Sequence, residues 1–164
     1  MNAARRLLLL GGIALALWGM SYGLWYAVFA EHQALDGMGA SLTKGFVGAA
    51  ERDPASAASA LSQYREAKYV YDRQVDVHGH WIGLAMLLIV LGIGIDRLAF
   101  PDGIKYLLSM CALLGSFLFP LGVWLQTVNH GNGPRALAIL GSALVMVALG
   151  AFALGFARKP SLGN

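Results

Sequence analysis

Charge is the scarcest property of this chain. Only 13% of its 164 residues are Asp, Glu, Lys or Arg, whereas 57% are hydrophobic. A soluble domain carries about 25% charged residues, so the composition argues against that class. Cysteine is nearly absent too. Cys111 stands alone, which rules out an internal disulfide framework or a thiolate metal cluster within one chain. It reads as a small buried apolar residue. No basic cluster with interleaved aromatics exists, so the net charge of +3 does not point to nucleic acid. No spacing resembles a phosphate loop, a nucleophile elbow or a paired metalloprotease helix. The apolar segments hold no lysine, arginine or carboxylate in mid-course, which argues against a proton or ion pump.

Uncharged stretches occupy 7–30, 81–95, 106–128 and 136–157. A helix needs about 20 apolar residues to cross a bilayer, and the second stretch reaches that length if it starts near Val77. The pattern predicts an all-α integral membrane four-helix bundle in one domain, 1–164, embedded in a lipid bilayer. Spans are expected at about 6–30, 77–96, 105–128 and 136–157, with a helical extramembrane insertion at 31–76. Bases flank the spans: Arg5 and Arg6, then Arg97 and Lys105, then Arg158 and Lys159, with only Arg135 in the third connection. By the positive-inside rule both termini lie in the cytoplasm, and the insertion and the 129–135 turn lie outside a bacterial inner membrane. The N-terminus imitates a secretion signal, with Val28-Phe29-Ala30 as a cleavage site. Its apolar run is about twice the usual 7–15 residues, which predicts an uncleaved first span.

Local patterns fill in this outline. Gly12, Ala16, Gly19 and Gly23 form one stripe on the first span. Such stripes let helix backbones approach closely where no hydrophobic effect drives association. Tyr22, Trp25 and Tyr26 suit an interfacial aromatic belt. Leu35, Met38, Leu42 and Phe46 recur at three- and four-residue spacing, the mark of an amphipathic helix. Asp53-Pro54 is a helix start, with Asp as N-cap and Pro in the first turn. From there a second outer helix is expected to run straight into the second span as one rod, with Gly79 as its bend. Pro120 predicts a kink in the third span, and Gly131-Asn132-Gly133-Pro134 a tight turn before the fourth, which reads as a packing helix.

Function rests on histidine. The chain has four, His32, His78, His80 and His130, and each falls where an apolar segment meets the expected outer side. Imidazole is the common ligand of haem iron, copper and zinc, and the neutral-pH proton carrier. Helical residues two apart point about 200° apart, so His78 and His80 cannot grip one ion unless Gly79 breaks the helix. Asp76 precedes His80 by one turn, where its carboxylate can accept a ring N–H or pair with Arg73 in solvent. Gln126, one turn below His130, should face the interior or a wet cavity. Short linkers place His32, His130 and one of the second-span pair in one layer. The expected ligands are His80 and His130, then His32 and His78, with Trp81 and Gln126 lining the pocket.

The stretch Val77-His78-Gly79-His80-Trp81-Ile82-Gly83-Leu84 resembles the His-x-His opening of a transmembrane helix in small four-span bacterial proteins. These are distantly similar to half of the haem–copper oxidase catalytic subunit and to the nitric-oxide-response haem membrane protein. The resemblance implies haem or copper ligation by His78 or His80, with His130 as a partner. The outer insertion departs from that pattern, no His-Pro-Glu-Val-Tyr copper motif is present, and oxidase activity is not implied. The leading expectation is therefore a haem b, or alternatively copper, serving electron transfer or gas or redox sensing. The other, from a different class, is a non-catalytic accessory or assembly subunit of a larger membrane complex or homo-oligomer, with no cofactor and an outer rod that docks a partner. A histidine proton switch stands third.

Overall fold

The computed structural model describes residues 2–158; Lys159 lies outside the described residues. Helix α1 (Ala3–Trp25) passes through one π-helical segment (Tyr26–Ala30) into α2 (Glu31–Ala50). The result is one rod of 48 residues. Helix α3 (Pro54–Gly94) returns beside it and closes in a 3-10 turn, Ile95–Arg97. Helices α4 (Asp102–Leu125) and α5 (Asn132–Ala157) form a second antiparallel hairpin. Four rods, Ala3–Ala50, Pro54–Arg97, Asp102–Leu125 and Asn132–Ala157, are long and apolar enough to cross a membrane. No strand occurs among the described residues.

Capping explains where the rods begin. The Asn2 side chain accepts from the Arg5 N–H at 2.8 Å. Asp53 accepts from the N–H groups of Ala55 and Ser56, both at 3.1 Å, and Pro54 occupies the first helical position. This satisfies donors that a helix N-terminus leaves open. The reversal between α2 and α3 turns on Arg52, whose φ of 57° is the left-handed conformation that ends helices. At the far end Asp96 accepts from Asn2 at 2.7 Å and pairs with Arg5 at 3.2 Å, tying the start of α1 to the end of α3.

Small residues decide how the rods meet. The expected stripe on α1 faces α3: Gly12 lies against the Ala85 carbonyl and Ile89, Gly19 against Trp81 and Ile82, and Gly23 against the His78 ring. Gly115 and Gly122 of α4 rest on the backbone of α5, and Gly141 of α5 rests on Phe119 of α4. α1 also touches α4, where Gly11 meets Leu113. The buried core runs along these contacts, through Leu8, Leu15, Val77, Trp81, Ala85, Leu88, Ala112, Val123, Ala148 and Phe152.

As expected, the second outer helix and the second span form one rod, α3, from Pro54 to Gly94, and α4 runs through Pro120 as one element. The structure departs from expectation elsewhere. Asn132 already belongs to α5, so the turn before that helix precedes Gly131. Tyr26 is 7% exposed and packs toward α3 instead of joining an interfacial belt. The amphipathic pattern of α2 is turned outward. Leu35, Leu42 and Phe46 are exposed, Phe46 by 74%, while Ser41 and Gly48 are the buried positions. Gly48 meets the backbone of Ala57, and Gly45 meets Ala60 at 3.8 Å from an ideal Cβ. Close backbone approach, not large side chains, joins α2 to α3.

Gly141→Leu should separate α4 from α5, because its side chain would collide with the Phe119 backbone, which cannot swing aside. Overpacking costs about 1–3 kcal/mol, and a backbone obstacle places this variant at or above the upper end. Thermal unfolding in detergent should show a marked drop in Tm, while Gly150→Leu, which meets nothing within 4 Å, should leave it unchanged.

Candidate functional site

The histidines do not gather. His78 lies on the α1 face of α3. Its Nδ1 is 2.9 Å from the Gly19 carbonyl, and its ring fills the space above Gly23. His80 faces the other way, toward α4, with its ring edge-on to Phe119 at 4.8 Å between centroids. The 200° divergence expected of an unbroken helix is what α3 displays.

A carbonyl oxygen can only accept, so each Nδ1 must carry the proton. For His78 the acceptor is the Gly19 oxygen. For His80 it is the backbone oxygen of Asp76, at 2.6 Å. The expected carboxylate contact is thus made by the Asp76 main chain. Arg73 does not hold that carboxylate either; its guanidinium lies 5.2 Å from the centre of the Tyr69 ring. In the neutral ring of either histidine this leaves Nε2 as a lone pair. This tautomer suits metal ligation, since the bond at one ring nitrogen fixes the basicity and aim of the other.

His130 is remote from both. Helix α4 stops at Leu125, and the chain climbs along α3 before α5 begins. Thr127 accepts from Gln74 at 3.5 Å. Beyond it the His130 Nε2 is 3.4 Å from Glu66 and its ring is 5.3 Å from that of Tyr69. Between those residues and His80, α3 rises roughly 15–20 Å at 1.5 Å per residue. His130 belongs to the extension of the bundle, paired at an exposed surface. His32, in the first turn of α2, is exposed as well. Its level is that of Tyr71, whose hydroxyl donates to Glu31 at 3.5 Å.

Neither expected lining residue reaches His80. The Gln126 amide folds back to the Gly122 carbonyl at 3.1 Å. Trp81, only 1% exposed, faces α1 and stacks edge-on with Trp18 at 5.9 Å and Tyr22 at 5.3 Å. No group of three or more His, Cys, Asp or Glu side chains suited to a metal ion occurs among the described residues. The residues that could hold a cofactor are therefore His78 and His80 singly, each offering one lone pair.

Sequence reasoning missed a buried polar layer between α1 and α3. The Tyr26 hydroxyl, the Trp81 indole N–H and the Gln74 carbonyl oxygen are enclosed there without a protein partner among the described residues, and the Tyr22 hydroxyl is enclosed beside the Trp124 side chain of α4. The signal was present in Tyr22 and Tyr26, one turn apart, facing Gln74, His78 and Trp81 at intervals of four and three. Farther out, the hydrogen bond from Lys68 to Asp72, at 2.6 Å, holds the lysine above its ordinary pKa and cationic through neutral pH.

Comparison of the chain with protein-family models, with curated proteins and with solved structures finds no match in any of the three.

The separation of the ligands is measurable. Nitroxide labels at positions 80 and 130, in a Cys111→Ser background, should give a dipolar distance centred at roughly 15–25 Å, the rise of α3 between their neighbours plus label length. A main population below about 10 Å would instead bring the two sites within reach of one iron.

Proposed function

We propose that this chain is a non-catalytic accessory or assembly subunit of a larger complex in a bacterial inner membrane, which it engages through the helical hairpin of α2 and the first half of α3. The carrying observation is the outward-turned apolar face of that hairpin. Leu35, Leu42 and Phe46 on α2 and Leu61 on α3 are all more than 40% exposed. A groove of about 280 Å³ lies between Leu42, Gly45, Phe46, Ala57, Leu61 and Tyr64. Inside a membrane an exposed leucine needs no explanation. On a hairpin whose surface also carries Lys44, Arg65, Glu66, Lys68 and Asp72, all exposed, a row of exposed large apolar side chains is a contact surface. The basic residues beside the membrane-crossing segments favour cytoplasmic termini and an extracytoplasmic hairpin.

A second reading is favoured by one observation, the Nδ1–H tautomers of His78 and His80. The Nε2 lone pair of His80, which borders an open groove, would serve haem iron or copper, in keeping with the resemblance of the Val77–Leu84 stretch to haem-binding span openings. A b-type haem would be held by His80 and by a donor from outside the chain, because His130 is too far away, and would supply one-electron redox chemistry.

One preparation tests both readings. Purified from native membranes in mild detergent, the chain should carry a stoichiometric partner and no Soret band. Phe46→Lys with Leu42→Lys should release that partner without lowering the chain's own Tm, since both side chains face solvent. A Soret band abolished by His80→Ala and kept in His130→Ala would favour the haem reading, and a monodisperse chain with neither partner nor chromophore would defeat both.

A further inference from the structure

The accessory reading places a partner beside the chain, and the second half of α3 indicates where that partner's membrane segment lies. Val75, Asp76, Gly79, His80, Gly83 and Leu84 line an open groove of about 480 Å³. A Cβ at Gly79 or Gly83 would meet nothing within 4 Å, so no element of this chain covers the face. Asp76 lies about 30 Å along α3 from Asp96, which is the thickness of a hydrocarbon core. Asp76 therefore marks one edge of the apolar slab, and His80 lies one turn inside it. The polar groups on this face are acceptors: the Nε2 lone pair of His80, whose proton is committed to the Asp76 carbonyl, and the Asp76 carboxylate, which has no ion pair among the described residues. Acceptors facing lipid one turn deep have no donor to meet, whereas a neighbouring helix can supply one.

We propose that this groove receives a transmembrane helix of the partner subunit, and that this helix presents an arginine or lysine to His80 and Asp76. A second copy of this chain is a poor occupant. Pairing about a two-fold axis sets a patch against itself, which would place Asp76 against Asp76 and one Nε2 lone pair against another. A cation-bearing helix complements both groups, and the open glycines let its backbone come close.

The assignment rests on the accessory reading but can fail separately. A photo-crosslinking residue is placed at Val75 or Leu84, on the rims of the groove, in the full chain in native membranes. The expected adduct joins a different polypeptide, at a membrane-spanning peptide containing Arg or Lys near one end. The same probe at Met146, on the exposed face of α5, should give lipid adducts only. His80→Phe keeps the ring volume against Phe119 but removes the acceptor; loss of one charge-assisted hydrogen bond should cut the adduct yield about tenfold. His80→Asn, which keeps an acceptor, should retain most of it. Lipid adducts alone from positions 75 and 84, with the hairpin-dependent complex still intact, would overturn the groove assignment and leave the accessory reading standing. An adduct to a second copy of the chain, or a Soret band lost in His80→Phe, would overturn it in favour of a dimer or a tetrapyrrole. Absence of any complex would remove both.

Discussion

Contact of backbone with backbone between α1 and α3 governs the rest of the molecule. In hydrocarbon, burying one apolar side chain against another gains little, because lipid tails are as apolar as leucine. Dispersion at short range and satisfied hydrogen bonds remain to hold helices together. Gly12, Gly19 and Gly23 allow the approach, and its closeness determines what fits between the rods. At Gly23 it is the ring of His78, whose Nδ1–H ends on the Gly19 carbonyl. Once His78 is committed to the α1 face, helix geometry alone commits His80 to the opposite one. A histidine pair that looks like a chelate in one dimension thus becomes two single ligands on two surfaces.

That commitment sorts the polar groups of the bundle. On the α1 side lies an enclosed layer in which Tyr22, Tyr26, Trp81 and Gln74 accompany His78. On the other side His80 packs edge-on against Phe119 of α4 and borders an open groove. The enclosed layer belongs to internal packing: its aromatic rings interlock edge-on. The open groove has no internal function, and its glycines serve no neighbour within this chain. Small residues that face a partner helix and small residues that face open space are identical in sequence, and only the packing of the bundle separates them.

Much of the architecture was legible because a few strong rules act alone. Hydrocarbon thickness fixes the span lengths, Asp53-Pro54 fixes a helix start, and a 3.6-residue period fixes the divergence of His78 and His80. The candidate site was less legible, for definite reasons. His130 was placed at a helix end by the absence of charge, but α4 stops at Leu125, and residues 126–130 contain no proline, glycine or formal charge to mark the boundary. Gln126 looked like an inward-facing polar group, yet its amide returns to the Gly122 carbonyl of its own helix. That local bond leaves no trace in residue spacing.

The hairpin carries the most instructive reversal. Periodicity in α2 correctly marks one apolar stripe, but periodicity cannot say what the stripe touches. Two stripes compete for the α3 contact: the large residues Leu35, Leu42 and Phe46, and the small residues Ser41, Gly45 and Gly48. The small stripe wins, because α1 and α2 form one continuous rod and α1 is already held close against α3 at its own glycines. Continuing that spacing along α2 leaves room for Ser41 and Gly48 and none for Phe46. The large apolar residues are displaced to the outer surface by a contact made in another part of the same rod. Packing within the chain thus accounts for the outward position of Leu35, Leu42 and Phe46, and the glycine contacts of the bundle set the direction in which that apolar surface faces.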